Sequence, residues 1–456
     1  MAIESGSVLL ATPRWTRDGG VATHAIASAA ALAERGVEVH ALAARVEAEP
    51  IDGITVHHAP ELFKAGLTPE QRLGEARHLR PAVVHLHQLD DPSLLTVLQR
   101  LAPVVASVHG YSACTSGVHY FRPGQECDRP HGPGCVPNLA LRGCAHTRDP
   151  RWLPRGYRKA TLSVQALRSA DLAVSYSSAV DRHLAVNGVA RRAIVPLFAT
   201  TPPAVDAVTA EATANAGAAE AAGVTATAGA AGTIGAAGTA GAAANAGVTG
   251  TLAPTHRRVV FAGRVVTPKG VGILIRAVRR VDCELVICGD GWQLEAMRRL
   301  ARRLGVHERV RFTGWLAAPE LARELRQASV VAIPSLWPEP FGLVGIEAGA
   351  AARPVVASLT GGVGDWLKDG VNGLGVPPGD ADALAQALNE LLDDPERGRR
   401  FGEAGRGLVA ARFTRERHVD ALLDAYRKAH ATWQSSRGGR AAADAPDTPR
   451  AEPSQV

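Results

Sequence analysis

Residues Pro334–Ser358 read PSLWPEPFGLVGIEAGAAARPVVAS. A short apolar run, Val330–Pro334, leads in, and a second, Pro354–Ala357, leads out. Between them Leu343–Ala351 has helical composition. Two short buried runs joined by one helix make a β-α-β unit, which is a parallel pairing. Pro338 and Pro340 hold Glu339 out of helix. Glu347 follows on the helix itself. Gly342 marks the helix entry, where free backbone N–H groups and the helix dipole favour an anion. One loop thus offers a fixed carboxylate, an anion site and a second carboxylate.

The same alternation extends in both directions. In the first half, strands are expected at Val8–Ala11, Val37–Leu42, Ile54–His57, Val83–His87, Val104–Val108, Leu172–Ser175 and Ala193–Val195. Helices fit Ala22–Arg35, Pro69–Leu79, Pro92–Leu101, Arg158–Ser169 and Ser178–Val186. The second half repeats the scheme, with strands Arg258–Ala262, Glu284–Cys288, Val310–Thr313, Val330–Pro334 and Pro354–Ala357. Its helices fit Gly270–Val281, Gln293–Leu304, Pro319–Gln327, Leu343–Ala351 and Ala381–Leu392. The pattern predicts an α/β chain of two doubly wound, parallel-sheet, Rossmann-like domains. Ligands bind outside the carboxyl ends of such sheets, so two facing domains enclose a cleft.

Between the halves lies a stretch of almost pure Ala, Gly and Thr that cannot bury a core. The expected organisation is an N-terminal domain at 1–199, a low-complexity linker at 200–256 and a C-terminal domain at 257–411. A helix at 412–434 is expected to pack back on the first domain, and a polar, Pro-rich tail at 435–456 to lack structure.

The 456 residues carry a formal net charge of +6, from 50 basic against 44 acidic side chains. That mild, dispersed excess suits anionic small molecules or an anionic membrane surface. No basic run is interleaved with aromatics, which are 4% of the chain, so nucleic acid is not an expected partner. The N-terminus lacks the basic and apolar regions of a secretory signal, and no apolar run is long enough to span a bilayer. The reading places the chain in the cytoplasm, with the basic segment Arg142, Arg148, Arg151, Arg155, Arg158 and Lys159 available to the inner face of the membrane or to an anionic acceptor. In that compartment disulfides are not expected. Cys114, Cys127, Cys135 and Cys144 share one Gly/Pro-rich window. Either they bind a structural zinc that orders the loop, or they are plain reduced thiols.

Other segments carry chemistry. FAGRVVTPKGVGILIRAV puts Arg264 at a strand end and Lys269 just before a helix. Two cations beside a helix N-terminus can hold a diphosphate without a metal. GDGWQL at Gly289–Leu294 follows the strand ELVIC and half-matches a dinucleotide fingerprint, or is a tight strand-to-helix turn. Gly19 and Gly20 stand where the first strand hands over to a helix, a place where backbone can approach a ligand closely.

These segments carry a resemblance. FAGRVVTPKGVGILIRAV, VICGDGW, RFTGWL and PEPFGLVGIEAGAAARPVVAS resemble the retaining, nucleotide-sugar-dependent glycosyltransferases of family 4, which have the GT-B fold. GGVATHAIASAAALAERGVEVHAL, VVHLH and VVASVHG match the same family more loosely. The resemblance implies that Arg264 and Lys269 hold the donor diphosphate and that Glu339 accepts hydrogen bonds from the donor sugar. It implies that Phe341, Gly342 and Leu343 contact sugar and phosphate, that Glu347 binds the ribose, and that Gly314, Trp315 and Leu316 line the base beside Gly289. His109 would reach the transferred sugar from the other domain, and Gly19 and Gly20 would lie against the donor. Where the family has a Glu after its Gly-Gly pair, Asp365 stands here. The implied reaction is sugar transfer from a nucleoside diphosphate sugar to a hydroxyl acceptor, with retention by front-face attack and no metal cofactor. The competing readings are a nucleotide-sugar epimerase of the same fold and a non-catalytic nucleotide-sugar-binding protein.

Overall fold

The computed structural model describes residues 6–17, 19–115, 120–122, 125–141, 144, 151–200 and 257–443. Nearly all of the Ala/Gly/Thr segment, 201–256, lies outside the described residues.

Continuous apolar runs, rather than alternating ones, mark strands covered on both faces. The first half builds β1 (Val8–Trp15), β2 (Val39–Val46), β3 (Ile54–His58), β4 (Val83–Leu86), β5 (Val104–Val108), a hairpin β6 (Tyr120–Arg122) and β7 (Gln125–Glu126), then β8 (Leu172–Ser175) and β9 (Arg192–Ile194). Apart from the antiparallel hairpin, these strands form one sheet in the order β3-β2-β1-β4-β5-β8-β9. Every pairing in it is parallel. The second half builds β10 (Arg258–Ala262), β11 (Glu284–Cys288), β12 (Val310–Gly314), β13 (Val330–Ile333), β14 (Val355–Ser358) and β15 (Gly373–Val376). Their order is β12-β11-β10-β13-β14-β15, again all parallel. Both sheets reverse strand order beside their first strand, at β1/β4 and β10/β13. The crevice outside the carboxyl ends of such a switch point is where a ligand fits. The expected pair of doubly wound domains is therefore what the chain forms.

Element limits differ where glycine or proline misleads. The helix expected over Pro69–Leu79 breaks at Gly74, whose φ of 46° and ψ of −127° leave the helical region, and continues as a 3-10 turn over Gly74–His78. The helix expected from Arg158 begins at Trp152, with Pro154 tolerated in its first turn. β15 has the unpromising sequence GLGV. Its glycines are required by packing, because a Cβ on Gly373 would stand 2.2 Å from the Val355 carbonyl oxygen and one on Gly375 would stand 2.4 Å from Leu359.

The last helix, Arg415–Ala443, returns to the N-terminal half. Val419, Leu422, Ala425 and Tyr426 are buried in a core shared with β1 and β2. Ser28 donates to His418 Nε2 at 2.9 Å, His418 Nδ1 donates to the Pro196 carbonyl at 2.8 Å, and Tyr426 pairs with His85 at 2.8 Å. The helix continues past 434, so the structureless tail expected from 435 is corrected over 435–443. Residues 444–456 lie outside the described residues. Among the described residues no helix is long and apolar enough to cross a membrane.

Candidate active site

Two loops at the carboxyl end of the second sheet lie directly on one another. Gly270 takes φ 71°, and a Cβ there would stand 1.8 Å from the Pro334 carbonyl oxygen. The Leu336 amide donates to the Pro268 carbonyl at 2.8 Å. This contact carries Lys269 to Glu339, with Nζ at 2.8 and 3.0 Å from the two carboxylate oxygens. Glu339 is 2% exposed. The Ser335 hydroxyl and the Trp337 indole N–H, the latter at 3.1 Å, also donate to its Oε1. Its main chain pairs with Gly361, and the Gly362 amide donates to the Glu339 carbonyl at 2.7 Å. The carboxylate is thus buried, charge-paired and fixed at both main chain and side chain. Arg264 stands exposed near the end of β10; its carbonyl accepts from the Val266 amide at 3.0 Å, but among the described residues its guanidinium holds no hydrogen bond or ion pair. The two cations expected to act as a pair differ: Lys269 is engaged by Glu339, and Arg264 faces solvent.

Gly342, at φ 86°, caps the helix Leu343–Ala350. Trp366 supports that helix entry. Its indole N–H donates to the Phe341 carbonyl at 2.6 Å, and its ring lies where a Cβ on Gly345 would come within 2.3 Å. Phe341 is buried, whereas Leu343 is partly buried. Glu347, 8% exposed, accepts from the Thr200 hydroxyl at 2.9 Å. Burial pushes its carboxyl above the ordinary range, against the pull of that hydrogen bond.

Gly289 has a structural cause of its own. It takes φ 146°, its amide donates to the Gly314 carbonyl at 2.8 Å, and a Cβ would stand 2.0 Å from the Gly263 carbonyl oxygen. The GDGW segment is therefore a turn forced by crossing strand ends. Next to it Gly314 takes φ 73°, Trp315 is 53% exposed and Leu316 packs partly against the core.

Across the cleft, His109 follows β5 directly. Burial moves its pKa down to about 4, against the opposing pull of the nearby His87 main chain. His109 and His87 wall a cavity of about 380 Å³ with Tyr111, Trp152 and Lys159. A Cβ on the next residue, Gly110, would stand 3.8 Å from Pro340, so this strand end abuts the loop that holds Glu339. Gly19, at φ 96°, and Gly20 open the helix Gly20–Glu34, and a Cβ on either would meet nothing within 4 Å.

Two carboxylates also join the halves: Glu126, which the sequence did not mark, and Asp365, which it marked only as a departure from the family pattern. Glu126 in β7 accepts from the Gly361 amide and from Thr360 at 3.2 Å. Asp365 accepts from the Ser178 amide at 2.7 Å and from its hydroxyl at 2.5 Å. Glu126 and Gly361 are 235 positions apart, so no local spacing could reveal that contact. Trp337 and Ser335 lay inside the quoted loop, where the two prolines drew attention to Glu339 alone.

Cys144 is pushed up to about 11 by burial and then by Cys127, Cys114 and Cys135, so the thiols share a neighbourhood. All four are free. Among the described residues, however, they do not close to metal-binding spacing; His24, His87 and His109 do, with ligand atoms within 4.8 Å of one another. The Cys127–Cys135 segment is pinned at its middle, where His131 meets Thr115 at 3.0 Å, Thr161 at 2.8 Å and Asn187 at 2.8 Å. On the basic segment, Arg151, Arg155, Arg158 and Lys159 are exposed, and Arg142 and Arg148 lie outside the described residues.

Comparison with known proteins follows the same division. Residues 18–197 match the family model Glycosyltransferase Family 4, and residues 250–408 match Glycosyl transferases group 1. One relative is the GDP-mannose-dependent alpha-(1-6)-phosphatidylinositol monomannoside mannosyltransferase of Mycolicibacterium smegmatis. It is 42% identical over 159 residues, which is 32% of this chain and 42% of the relative. Another is the alpha-D-kanosaminyltransferase of Streptomyces kanamyceticus, 33% identical over 175 residues, 37% of this chain and 45% of the relative. The matched stretch spans less than half the length of either. The crystal structure of Anabaena HepE in complex with UDP and glucose covers 92% of this chain and 98% of its own, with a TM-score of 0.62 and 17% identity. That likeness shows the fold. With one glycosyltransferase model over each half and the two facing parallel sheets, the chain belongs to the family 4, group 1 glycosyltransferases of GT-B fold.

Proposed function

We propose that the protein transfers a hexose from a nucleoside diphosphate sugar to a hydroxyl acceptor with retention of anomeric configuration. The observation that carries this reading is Glu339, a buried carboxylate fixed by Lys269, Ser335 and Trp337 at the strand ends of the half that matches the group 1 model. A carboxylate held this firmly can orient sugar hydroxyls with little reorganisation. The names of the relatives support the class: one is GDP-mannose-dependent, and HepE was solved with UDP and glucose.

In this reading Arg264 and the helix N-terminus at Gly342 take the diphosphate, with Lys269 shared between phosphate and Glu339. Glu347 binds the ribose, while Gly289, Gly314, Trp315 and Leu316 border the base. His109 meets the sugar from the facing sheet. The acceptor oxygen attacks the anomeric carbon on the face the leaving group departs from. The C–O bond to the β-phosphate breaks, and the released phosphate oxygen takes the acceptor's proton. Fixed positive charge stabilises that departure, so the step needs no metal. The acceptor, a hydroxyl of a glycan such as one of the cell envelope, of a lipid-linked molecule or of a small molecule, enters from the cavity beside His109. The exposed face of Arg155, Arg158 and Lys159 rests on anionic lipid at the cytoplasmic side.

The test is a panel of UDP-, GDP-, ADP- and dTDP-sugars, read by thermal stabilisation and by product analysis. A donor at about 100 times its dissociation constant adds about 2.7 kcal/mol to stability. Sugar retained on the nucleotide but inverted at a ring carbon would make the protein an epimerase. Binding without hydrolysis or transfer, with any acceptor tried, would make it a non-catalytic binder.

A further inference from the structure

We infer that His24, His87 and His109 form a binding site for one divalent transition-metal ion of the zinc class, and that an ion there withdraws His109 from the cleft. The binding site stands independently of the transferase reading; its effect on turnover rests on it.

The three rings arrive from three elements at the switch point of the first sheet. His24 lies one turn into the helix that Gly20 opens, His87 follows β4, and His109 follows β5. Their ligand atoms lie within 4.8 Å of one another. A triangle of that side has its centre about 2.8 Å from each corner, so movements under about 1 Å reach the roughly 2.0–2.1 Å of a zinc–nitrogen bond.

The lone pairs are available. His24 Nδ1, both ring nitrogens of His87 and His109 Nε2 are buried without a hydrogen-bond partner. His87 is 0% exposed, and a buried polar side chain with neither nitrogen satisfied calls for an account. His109 offers Nε2 as a buried ring nitrogen with no partner, and the His87 main chain lies close enough to favour a proton on the ring, which suits the arrangement of a metal-binding imidazole. Burial keeps all three rings neutral, the form that binds metal.

The donor set selects the ion. Three imidazoles with no carboxylate in the group suit zinc, cobalt, nickel or copper and not magnesium or calcium. His87 and His109 line the cavity of about 380 Å³, from which water can supply a fourth ligand. Once Nε2 of His109 holds the ion, it no longer meets a donor sugar.

The full chain, stripped of metal with a chelator, is titrated with Co²⁺ and Zn²⁺ at neutral pH. The expected result is one equivalent bound, with a visible cobalt band and no thiolate charge-transfer band in the near ultraviolet. His24→Gln and His87→Gln, each checked by melting temperature, are expected to weaken Zn²⁺ at least tenfold. Zn²⁺ is expected to lower turnover of the best donor at least tenfold in the wild type, and the residual turnover of His87→Gln to be insensitive to it. No binding, a thiolate band, or full-affinity binding in both variants would overturn the site. Binding without loss of turnover would overturn the withdrawal of His109. A protein that binds cobalt through imidazole yet turns over no donor would leave the site standing and overturn the transferase reading alone.

Discussion

Lys269 and Glu339 form an ion pair between two loops, with the ammonium 24% exposed and the carboxylate 2% exposed. The pair links the loop after β10 to the loop after β13, the two strands at the switch point of the second sheet. Arg264, five positions before Lys269, takes no part in it. The two cations should therefore fail in different ways when removed.

Lys269→Ala strands a buried carboxylate. Breaking such a pair costs about 3 kcal/mol or more, so this variant is expected to melt markedly lower as well as to lose activity. Arg264→Ala removes an exposed group with no partner, so its melting temperature should stay at the wild-type value. Its turnover should drop about a hundredfold if the guanidinium meets charge growing on the leaving phosphate, on the order of 3 kcal/mol of barrier. Thermal melts beside donor-hydrolysis rates separate the two. Equal melting losses, or Arg264→Ala at wild-type rate, would defeat the assignment.

Glu347 presents the opposite balance. Its carboxylate is buried with one hydroxyl partner, Thr200, and burial works against its charge. Glu347→Gln should leave stability unchanged or raise it, because a desolvated charge is removed while the amide still accepts from Thr200. If the carboxylate binds ribose hydroxyls, losing the charge-assisted bonds should weaken the donor by tenfold or more. Calorimetric titration with the best donor decides; unchanged affinity would remove Glu347 from the nucleotide site.

How much of this was legible beforehand follows from the range of each interaction. The parallel sheets were readable because β4, β5, β11 and β13 are apolar at most positions on both faces, with one polar residue each in the first three and none in β13. Glu339 was readable because two prolines flank it. What binds Glu339 was not, since Lys269 reaches it only through the contact of Gly270 with Pro334. β15 escaped notice because its glycines answer to Val355 and Leu359, which are distant in sequence. His87 looked like one more polar residue at a strand end. Only the fold brings it to His24 and His109.

The buried histidines make stability depend on pH. His85 is lowered to about 3, and His109 and His418 to about 4, in each case chiefly by burial. The unfolded chain protonates these groups near pH 6.5, so below that value it binds protons the folded protein does not. The stabilisation is fully present above pH 6.5 and is lost as pH falls toward 4. For a histidine at 4 the loss at pH 5 is about 2 kcal/mol. Melting temperature should be flat from pH 7 to 8 and fall steeply between pH 6.5 and 5. A melting temperature unchanged down to pH 5 would mean that these rings are not held neutral.

Gly20 offers the cleanest separation of folding from binding. Many glycines of this chain have a structural reason. Gly270 is one: with φ 71° and Pro334 1.8 Å from any Cβ, Gly270→Ala must displace backbone and should destabilise by several kcal/mol. Gly20 has none. It is not among the glycines at positive φ, it begins a helix, and a Cβ would meet nothing within 4 Å. Alanine should therefore leave stability unchanged or add a few tenths of a kcal/mol, since it suits helix better than glycine. A glycine that the fold does not need, at the carboxyl end of a strand facing a cleft, is explained by a ligand whose atoms occupy the space of the missing side chain. Gly20→Ala should accordingly weaken donor binding at least tenfold while the melting curve stays at or above that of the wild type. If donor affinity survives as well, the glycine pair is an ordinary turn, and the donor lies wholly against the opposite sheet.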